Sequence, residues 1–140
     1  MIVGEGHVLI VEDSLAMGYA LRAQFQAFGW EVRLSRTVAS ALENLDPPPD
    51  WILLDLWLSD GDGEDVLRHV REAGIPSHVA VISAGLDPER IASLEPLKPD
   101  LMLPKPISFE KLLEACQSAH SSVGQAEPKA ASSSPLRRSV

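Results

Sequence analysis

The sequence has a single cysteine, Cys116, and no long apolar run. One cysteine cannot form a disulfide within the chain, which is compatible with a reducing compartment. No stretch approaches the roughly 18 apolar residues that a membrane-spanning helix requires. The first residues carry no basic segment of the kind that opens a secretory signal peptide. We therefore expect a cytoplasmic protein that does not enter the membrane.

Basic residues are also scarce, since 12 Lys and Arg stand against 20 Asp and Glu and give a net charge of −8. Residues 121–140 hold one acid and three bases, a net +2, so the rest of the chain carries −10. An acidic body argues against direct nucleic-acid binding, which needs Lys and Arg to neutralise phosphates. It is compatible with binding a divalent cation or a basic protein surface.

What is present is a regular alternation of apolar runs and amphipathic segments. Five short runs predict strands: HVLIV, WEVRLS, WILLD, HVAVIS and DLMLP. Five helices are predicted to follow them, beginning after Ser14, after Thr37, near Gly63, after Asp87 and after Ser108. The central runs are apolar throughout, as in a parallel sheet that is covered on both faces. The pattern predicts a doubly wound α/β fold.

The chain length and the 45% apolar content fit a single domain, which we place at residues 1–120. From residue 121 the composition changes to Ser, Ala and Pro, without the apolar residues that a packed core needs. Residues 121–140 are therefore predicted to be a flexible tail or a truncated linker.

Polar or charged residues follow four of the five predicted strands. They are Glu12 and Asp13 after the first, Asp55 after the third, Ser83 at the end of the fourth and Lys105 after the fifth. The carboxyl ends of parallel strands lie at one edge of a sheet, where open α/β folds bind ligands. Each residue alone has an ordinary explanation, as a helix cap, a turn residue or an exposed lysine. Their occurrence at successive strand ends predicts one common site.

The chemistry of this set is coherent. Three carboxylates brought together repel one another and call for cations. Lys105 supplies one positive charge, and an all-oxygen site is what Mg²⁺ prefers. A carboxylate beside a divalent cation and a lysine can act as a nucleophile toward a phosphoryl group. Ser83 offers a hydroxyl to the phosphate oxygens.

Four segments, VLIVEDS, ILLDLWLSDGDG, AVISA and LPKPIS, resemble in order and spacing the signature segments of response-regulator receiver domains. The resemblance covers roughly residues 7–120. It implies a flavodoxin-like fold, with a five-stranded parallel sheet of order 2-1-3-4-5 flanked by five helices. It also implies a role in a two-component phosphorelay. Such a domain is not an enzyme, although it assists its own phosphorylation and dephosphorylation.

The resemblance implies a role for each site residue. Asp55 would be the phosphoacceptor, taking a phosphoryl group from a sensor histidine kinase or a histidine phosphotransfer protein. Ser83 would be the switch hydroxyl, and Lys105 would contact the phosphate. The peptide bond between Lys105 and Pro106 would be cis, a conformation largely restricted to X-Pro bonds.

The same resemblance implies a site for Mg²⁺ or Mn²⁺. Its ligands would be Glu12, Asp13, Asp55 and the backbone carbonyl of Trp57. Two further acids, Asp60 and Asp62, lie in the loop after Asp55. We interpret them as polar loop residues and as negative charge at a helix N-terminus, not as metal ligands.

Two positions are unusual for the family. Met102 stands three residues before Lys105, where receivers usually have the Tyr or Phe that forms the aromatic half of the switch. Trp57 places a large ring two residues after the acceptor. We expect this ring to be exposed, and our hypothesis is that it shields an acyl phosphate from water.

The resemblance places the partner surface on the fourth helix, the fifth strand and the fifth helix. In this chain it would include Ile91, Leu94, Met102 and Lys111. A second copy of the chain or an effector protein is expected there. No contact with nucleic acid or membrane is expected.

Three alternatives fit the sequence less well. A haloacid-dehalogenase-type phosphatase also uses a strand-end Asp and Mg²⁺, but it needs a second acid where this chain has Trp57. A dinucleotide site needs its glycines after the first strand, whereas Gly4 and Gly6 precede it. A degenerate receiver that binds partners without phosphorylation stays open because of Met102, although all five site positions hold workable groups.

Overall fold

The computed structural model describes residues 6–125, with side chains up to residue 118. These residues form two compact units, of which one ends at Ile107 and the other begins at Ser108. Of the predicted tail, residues 121–125 belong to the last helix, and residues 126–140 lie outside the described part of the chain.

The first unit is built on a five-stranded parallel sheet. Its strands are β1 (His7–Val11), β2 (Glu31–Ser35), β3 (Trp51–Leu54), β4 (His78–Ser83) and β5 (Leu101–Pro104). The spatial order is β2-β1-β3-β4-β5, and all neighbouring pairs are parallel. The predicted strand order and the flavodoxin-like fold are confirmed. Two further strands of two residues each, Trp57–Leu58 and Gly61–Asp62, pair only with each other and form a short antiparallel ladder.

Four helices belong to the first unit: α1 (Leu15–Ala27), α2 (Val38–Glu43), α3 (Glu64–Glu72) and α4 (Pro88–Leu94). A 3-10 turn at Glu95–Leu97 follows α4. The second unit holds α5 (Phe109–Gln125), in which the single cysteine, Cys116, is buried. None of the described helices is long and apolar enough to cross a bilayer.

Four of the five predicted helix starts are confirmed by their capping contacts. The side chains of Ser14, Thr37 and Asp87 each accept a hydrogen bond from a backbone N–H in the first turn of α1, α2 and α4. Ser108 Oγ accepts from the backbone N of Lys111 in the same way. Each cap satisfies one of the unpaired N–H groups at a helix start, so the local sequence determines where these helices begin.

The helix α2 is shorter than its apolar spacing predicted. Apolar residues recur at positions 38, 41, 42 and 45, a spacing that predicts a helix through Leu45, but the helix ends at Glu43. The Asn44 side chain donates to Ser35 Oγ at 2.8 Å and thereby ties the chain to β2 instead of continuing the helix. Leu45 is still buried in the core. The following Asp46–Pro47 peptide bond is cis.

Helices cover both faces of the sheet. On one face, alternate strand residues pack with apolar residues of α2, α3 and α4, including Leu9, Ile52, Val79, Ala41, Leu67 and Leu94. On the other face lies α1, where a Cβ on Gly18 would stand 3.0 Å from Leu34 Cδ1. The interior is therefore apolar, and the polar groups are left at the carboxyl edge of the strands.

Candidate functional site

Strand register brings four of the predicted site residues to one edge. β1 and β3 pair in register to their last residues, so the residues that follow them, Glu12 and Asp55, lie side by side. On the other side of β3, the backbone N of Lys105 donates to the backbone O of Ser83 at 3.0 Å. The convergence expected from the strand ends is therefore present for all four.

Lys105 bridges two of the acids. Its Nζ donates to Glu12 Oε1 at 3.0 Å and to Asp55 Oδ2 at 3.1 Å. Both carboxylate side chains are only 7% exposed, so each needs a charged or hydrogen-bonding partner. Partial burial by itself lowers the pKa of Lys105, but the hydrogen bonds and negative charges of Glu12 and Asp55 outweigh it and raise the pKa above its usual value. The Lys105–Pro106 bond is cis, as the resemblance implied.

The second oxygen of Asp55 is held by two neutral donors. Asp55 Oδ1 accepts from the backbone N of Trp57 at 3.2 Å and from Ser83 Oγ at 3.3 Å. Ser83 is fully buried, so its hydroxyl is directed by packing as well as by this bond. Lys105 and Ser83 thus donate to different oxygens of one carboxylate. Such an arrangement orients a nucleophile and places a cation and a hydroxyl where a transferred group would arrive.

Asp13 lies next to this group without joining its hydrogen bonds. The residue is half-buried, and its backbone O accepts from the Arg36 guanidinium at 3.3 and 3.4 Å. Ser14 caps α1, so Asp13 is not the cap of that helix. Of the five predicted positions, the structure therefore leaves only the Asp13 side chain outside the network around Asp55.

The donors expected for Mg²⁺ are suitable in kind but do not form a closed site. Among the described side chains, no three of Asp, Glu, His or Cys are grouped closely enough to hold a metal ion. Lys105 Nζ instead occupies the place between Glu12 and Asp55. Glu12, Asp13 and Asp55 still outnumber the one lysine, and carboxylate oxygens are what a hard divalent cation binds. The donor set fits Mg²⁺ chemistry on these grounds.

The two loop acids have distinct helical partners. Asp60 accepts from the backbone N of Val38 at 2.7 Å and of Ala39 at 3.1 Å, and these bonds hold the pKa of its carboxyl below the usual value. Asp60 therefore places negative charge at the N-terminus of a helix, as predicted. The helix is α2, which precedes Asp60 in the chain. Asp62 accepts from the backbone N of Glu64 at 2.8 Å, at the start of α3.

Sequence reasoning missed the contacts that three residues make near the site. Arg90 donates to Asp62 Oδ1 at 2.6 Å and so joins α4 to the loop after the acceptor. Gly85 lies under the exposed indole of Trp57, since a Cβ on it would stand 3.3 Å from the ring. Gly63 packs against the main chain of Asp55. The two glycines lie a few residues after strand ends, and only this closeness in the sequence could have drawn attention to them. Nothing in the sequence pairs Arg90 with Asp62.

Trp57 is exposed, as expected, with 67% of its surface accessible. It forms one wall of a surface cleft of about 390 Å³. The cleft is also lined by Leu56, Asp62, Gly85, Asp87, Glu89, Arg90 and Ser93. The ring therefore stands between the loop after the acceptor and the start of α4.

The expected partner surface needs one correction. Leu94 is completely buried in the core and cannot contact a partner, because α4 turns it toward the sheet. Met102 is half-buried and packs against the same core. Ile91 is half-buried and Lys111 is exposed, so these two keep accessible atoms.

Comparison with known proteins agrees with this geometry. The profile of the response regulator receiver domain family matches residues 8–117. The chain is 33% identical over 108 residues to the response regulator MprA of Mycobacterium ulcerans (strain Agy99), and 32% identical over 108 residues to MprA of Mycobacterium avium (strain 104). These matches cover 76% of this chain but only 46% and 47% of the two relatives. The chain thus spans about half the length of the curated relatives it matches.

Solved structures show the same fold. A CheY-like receiver domain protein from Methanospirillum hungatei JF-1 superposes with a TM-score of 0.79 at 19% identity, covering 86% of this chain and 98% of that one. The non-phosphorylated HemR receiver domain from Leptospira biflexa gives a TM-score of 0.77 at 22% identity, covering 82% and 94%. At these identities the likeness concerns the arrangement of strands and helices.

Proposed function

Because this chain belongs to the response regulator receiver family, we propose that Asp55 accepts a phosphoryl group from a histidine of a sensor kinase or a histidine phosphotransfer protein. The observation that carries the proposal is the convergence on one buried carboxylate. Lys105 donates to one oxygen of Asp55, while Ser83 and the backbone N of Trp57 donate to the other. A structural ion pair would not require a second, fully buried donor on the far oxygen.

In the proposed step, an oxygen of Asp55 forms a bond to phosphorus as the bond between phosphorus and the donor imidazole breaks. The imidazole departs with the bonding electron pair, and the product is an acyl phosphate on Asp55. Phosphoryl transfer depends on positioning and on stabilising charge at the transferring oxygens. Lys105 would supply positive charge there, and the Ser83 hydroxyl would donate a hydrogen bond.

Mg²⁺ or Mn²⁺ would be held by Glu12, Asp13, Asp55 and the backbone carbonyl of Trp57. When bound, the cation would neutralise negative charge on the phosphoryl oxygens. Lys105 and a cation would compete for the same two carboxylates, Glu12 and Asp55, which the lysine bridges in this structure.

Residues 1–120 would form the receiver domain and residues 121–140 a tail or linker. The domain would work in the cytoplasm and would assist the loss of its own phosphoryl group as well as its gain. Phosphorylation would alter a surface that includes Ile91 on α4, to which a second copy of the chain or an effector protein would bind. Direct contacts with nucleic acid or membrane form no part of the proposal.

A phosphorylation-independent interaction module is the second candidate. Met102 favours it, because this side chain packs against the core where receivers usually carry the aromatic ring of their switch. The two candidates differ in whether Asp55 gains a phosphoryl group at all.

Intact-mass spectrometry of the full chain after incubation with Mg²⁺ and acetyl phosphate separates these candidates. We expect a mass increase of one phosphoryl group in the parent, and its loss in Asp55→Asn or when Mg²⁺ is chelated. Asp65→Asn is the matched control, because Asp65 is an exposed acid that pairs with Arg68 at 3.2 Å on α3. A parent chain that gains no mass from acetyl phosphate or from a phosphohistidine protein would favour the interaction module.

A further inference from the structure

A continuous set of contacts leads from Asp55 to α4. Asp55 Oδ1 accepts from the backbone N of Trp57 at 3.2 Å. Trp57 is paired with Asp62 in the short antiparallel ladder. Asp62 Oδ1 in turn accepts from Arg90 Nη2 at 2.6 Å. Each link is a hydrogen bond or a backbone pairing, and the last one ends on a helix that carries none of the site residues.

Arg90 is anchored at both ends. Its backbone N donates to Asp87 Oδ1 at 2.8 Å, so its main chain is fixed in the first turn of α4. Its side chain is 28% exposed, and Nη1 lies 3.7 Å from Glu64 Oε1, a second acid at the start of α3. A partly buried cation between two carboxylates is screened less by solvent than a fully exposed pair would be.

A surface cleft separates the first turn of α4 from this loop. The cleft of about 390 Å³ lies between them, with Trp57 and Gly85 on its walls and Arg90 across it. The start of α4 and the loop are therefore separated along this cleft. The ion pair between Arg90 and Asp62 spans it.

We propose that Arg90 couples the state of the Asp55 carboxylate to the stability of α4. When one oxygen of Asp55 is esterified by a phosphoryl group, the other becomes a neutral acyl carbonyl. As Oδ1 it then accepts more weakly from the Trp57 N–H, because hydrogen bonds to ionised groups are the stronger ones. The antiparallel ladder then holds Asp62 less firmly, and the ion pair between Asp62 and Arg90 weakens. Acyl phosphate formation, which would use this coupling, rests on the proposed function. The coupling itself is a property of the unmodified protein.

Met102 makes such a route relevant to this chain. Its side chain packs against the core and cannot act as an aromatic ring that reports on the site. Arg90 would provide a polar connection to α4 that does not pass through that position.

Hydrogen–deuterium exchange of the full chain tests the coupling without any phosphoryl donor. We expect Asp55→Ala to accelerate exchange of the α4 amides by about two- to fivefold, and Arg90→Met to do the same. In the double variant the two effects should not add. Asp62→Asn breaks the same pair from the loop side and should mimic Arg90→Met, which guards against a local effect of the Met side chain.

Arg68→Met is the matched control. Arg68 also binds Glu64, but from within α3, and it pairs with Asp65 rather than with any group on α4. It should leave both the α4 exchange and the effect of Asp55→Ala unchanged. The coupling is disproved if Asp55→Ala leaves α4 exchange unaltered, or if its effect is equally large in the Arg90→Met background.

The outcome is independent of the proposed function. Arg90→Met should keep the mass gain at Asp55 while losing the link to α4. A parent chain that takes up no phosphoryl group would refute the phosphoacceptor role, and the exchange measured with Asp55→Ala would still decide the role of Arg90.

Discussion

Gly63 packs directly against the main chain of Asp55. Its backbone N donates to Leu56 O at 2.9 Å. A Cβ on Gly63 would stand 3.0 Å from Leu56 Cα and closer still to the Asp55 carbonyl oxygen. The absence of a side chain at this position lets the loop after the acceptor fold back over the end of β3.

We therefore expect Gly63→Ala to destabilise the protein by about 1–3 kcal/mol, because the new methyl group overlaps backbone atoms that cannot move aside easily. Gly61→Ala is the control, since the nearest atom to its Cβ would be Val38 Cγ2 at an ordinary 3.6 Å. It should change the free energy of unfolding by less than about 0.5 kcal/mol. Urea unfolding of both variants checks this, and equal losses would show that the close approach at Gly63 is not what matters.

Trp57 is expected to control the lifetime of a phosphoryl group on Asp55. Its indole lies against Gly85, two residues beyond Ser83, where it would limit the access of water to a phosphoryl group. Trp57→Ala should accelerate dephosphorylation by about two- to tenfold, measured by intact mass after the phosphodonor is removed. Tyr19→Ala removes another aromatic ring of comparable exposure, 50%, from α1 and should have no effect. An unchanged rate in Trp57→Ala would refute the shielding role.

His78 should make stability depend on pH. Its Nδ1 lies 3.2 Å from Asp100 Oδ1, and this hydrogen bond raises the pKa of His78 although burial opposes it. Burial alone would raise the pKa of Asp100, but the hydrogen bonds from His78 and from the backbone N of Val79 lower it. The pair is therefore ionised across the mildly acidic range.

A histidine with a raised folded-state pKa contributes stability that is complete below its ordinary value of 6.5 and is lost as the pH rises through the raised value. His78→Gln should thus cost about 0.2–1 kcal/mol in mildly acidic solution and less in alkaline solution. Urea unfolding between about pH 5.5 and 9 measures the difference. His69→Gln, at an exposed position of α3, is the control for the loss of an imidazole. A cost for His78→Gln that stays constant with pH would contradict the ion pair.

The sequence by itself determined the elements and the composition of the site. The capping groups of Ser14, Thr37 and Asp87 act within one turn. Apolar runs that are too short for a helix and rich in β-branched residues favour strands of a covered sheet. Once the strands are parallel, their carboxyl ends share an edge, so Asp55 and Lys105 must lie near each other although 50 residues separate them. These inferences need only local pattern and one topological rule.

Only the tertiary structure decided the contacts between loops and helices. Asp60 caps α2 rather than the helix that follows it, and Arg90 reaches Asp62 across a cleft. Leu94 is turned into the core instead of the partner surface. Lys105 bridges Glu12 and Asp55 at the place where a shared cation was expected. Hydrophobic periodicity does not encode the path of a loop or the direction of a long charged side chain, so these contacts depend on how distant segments pack.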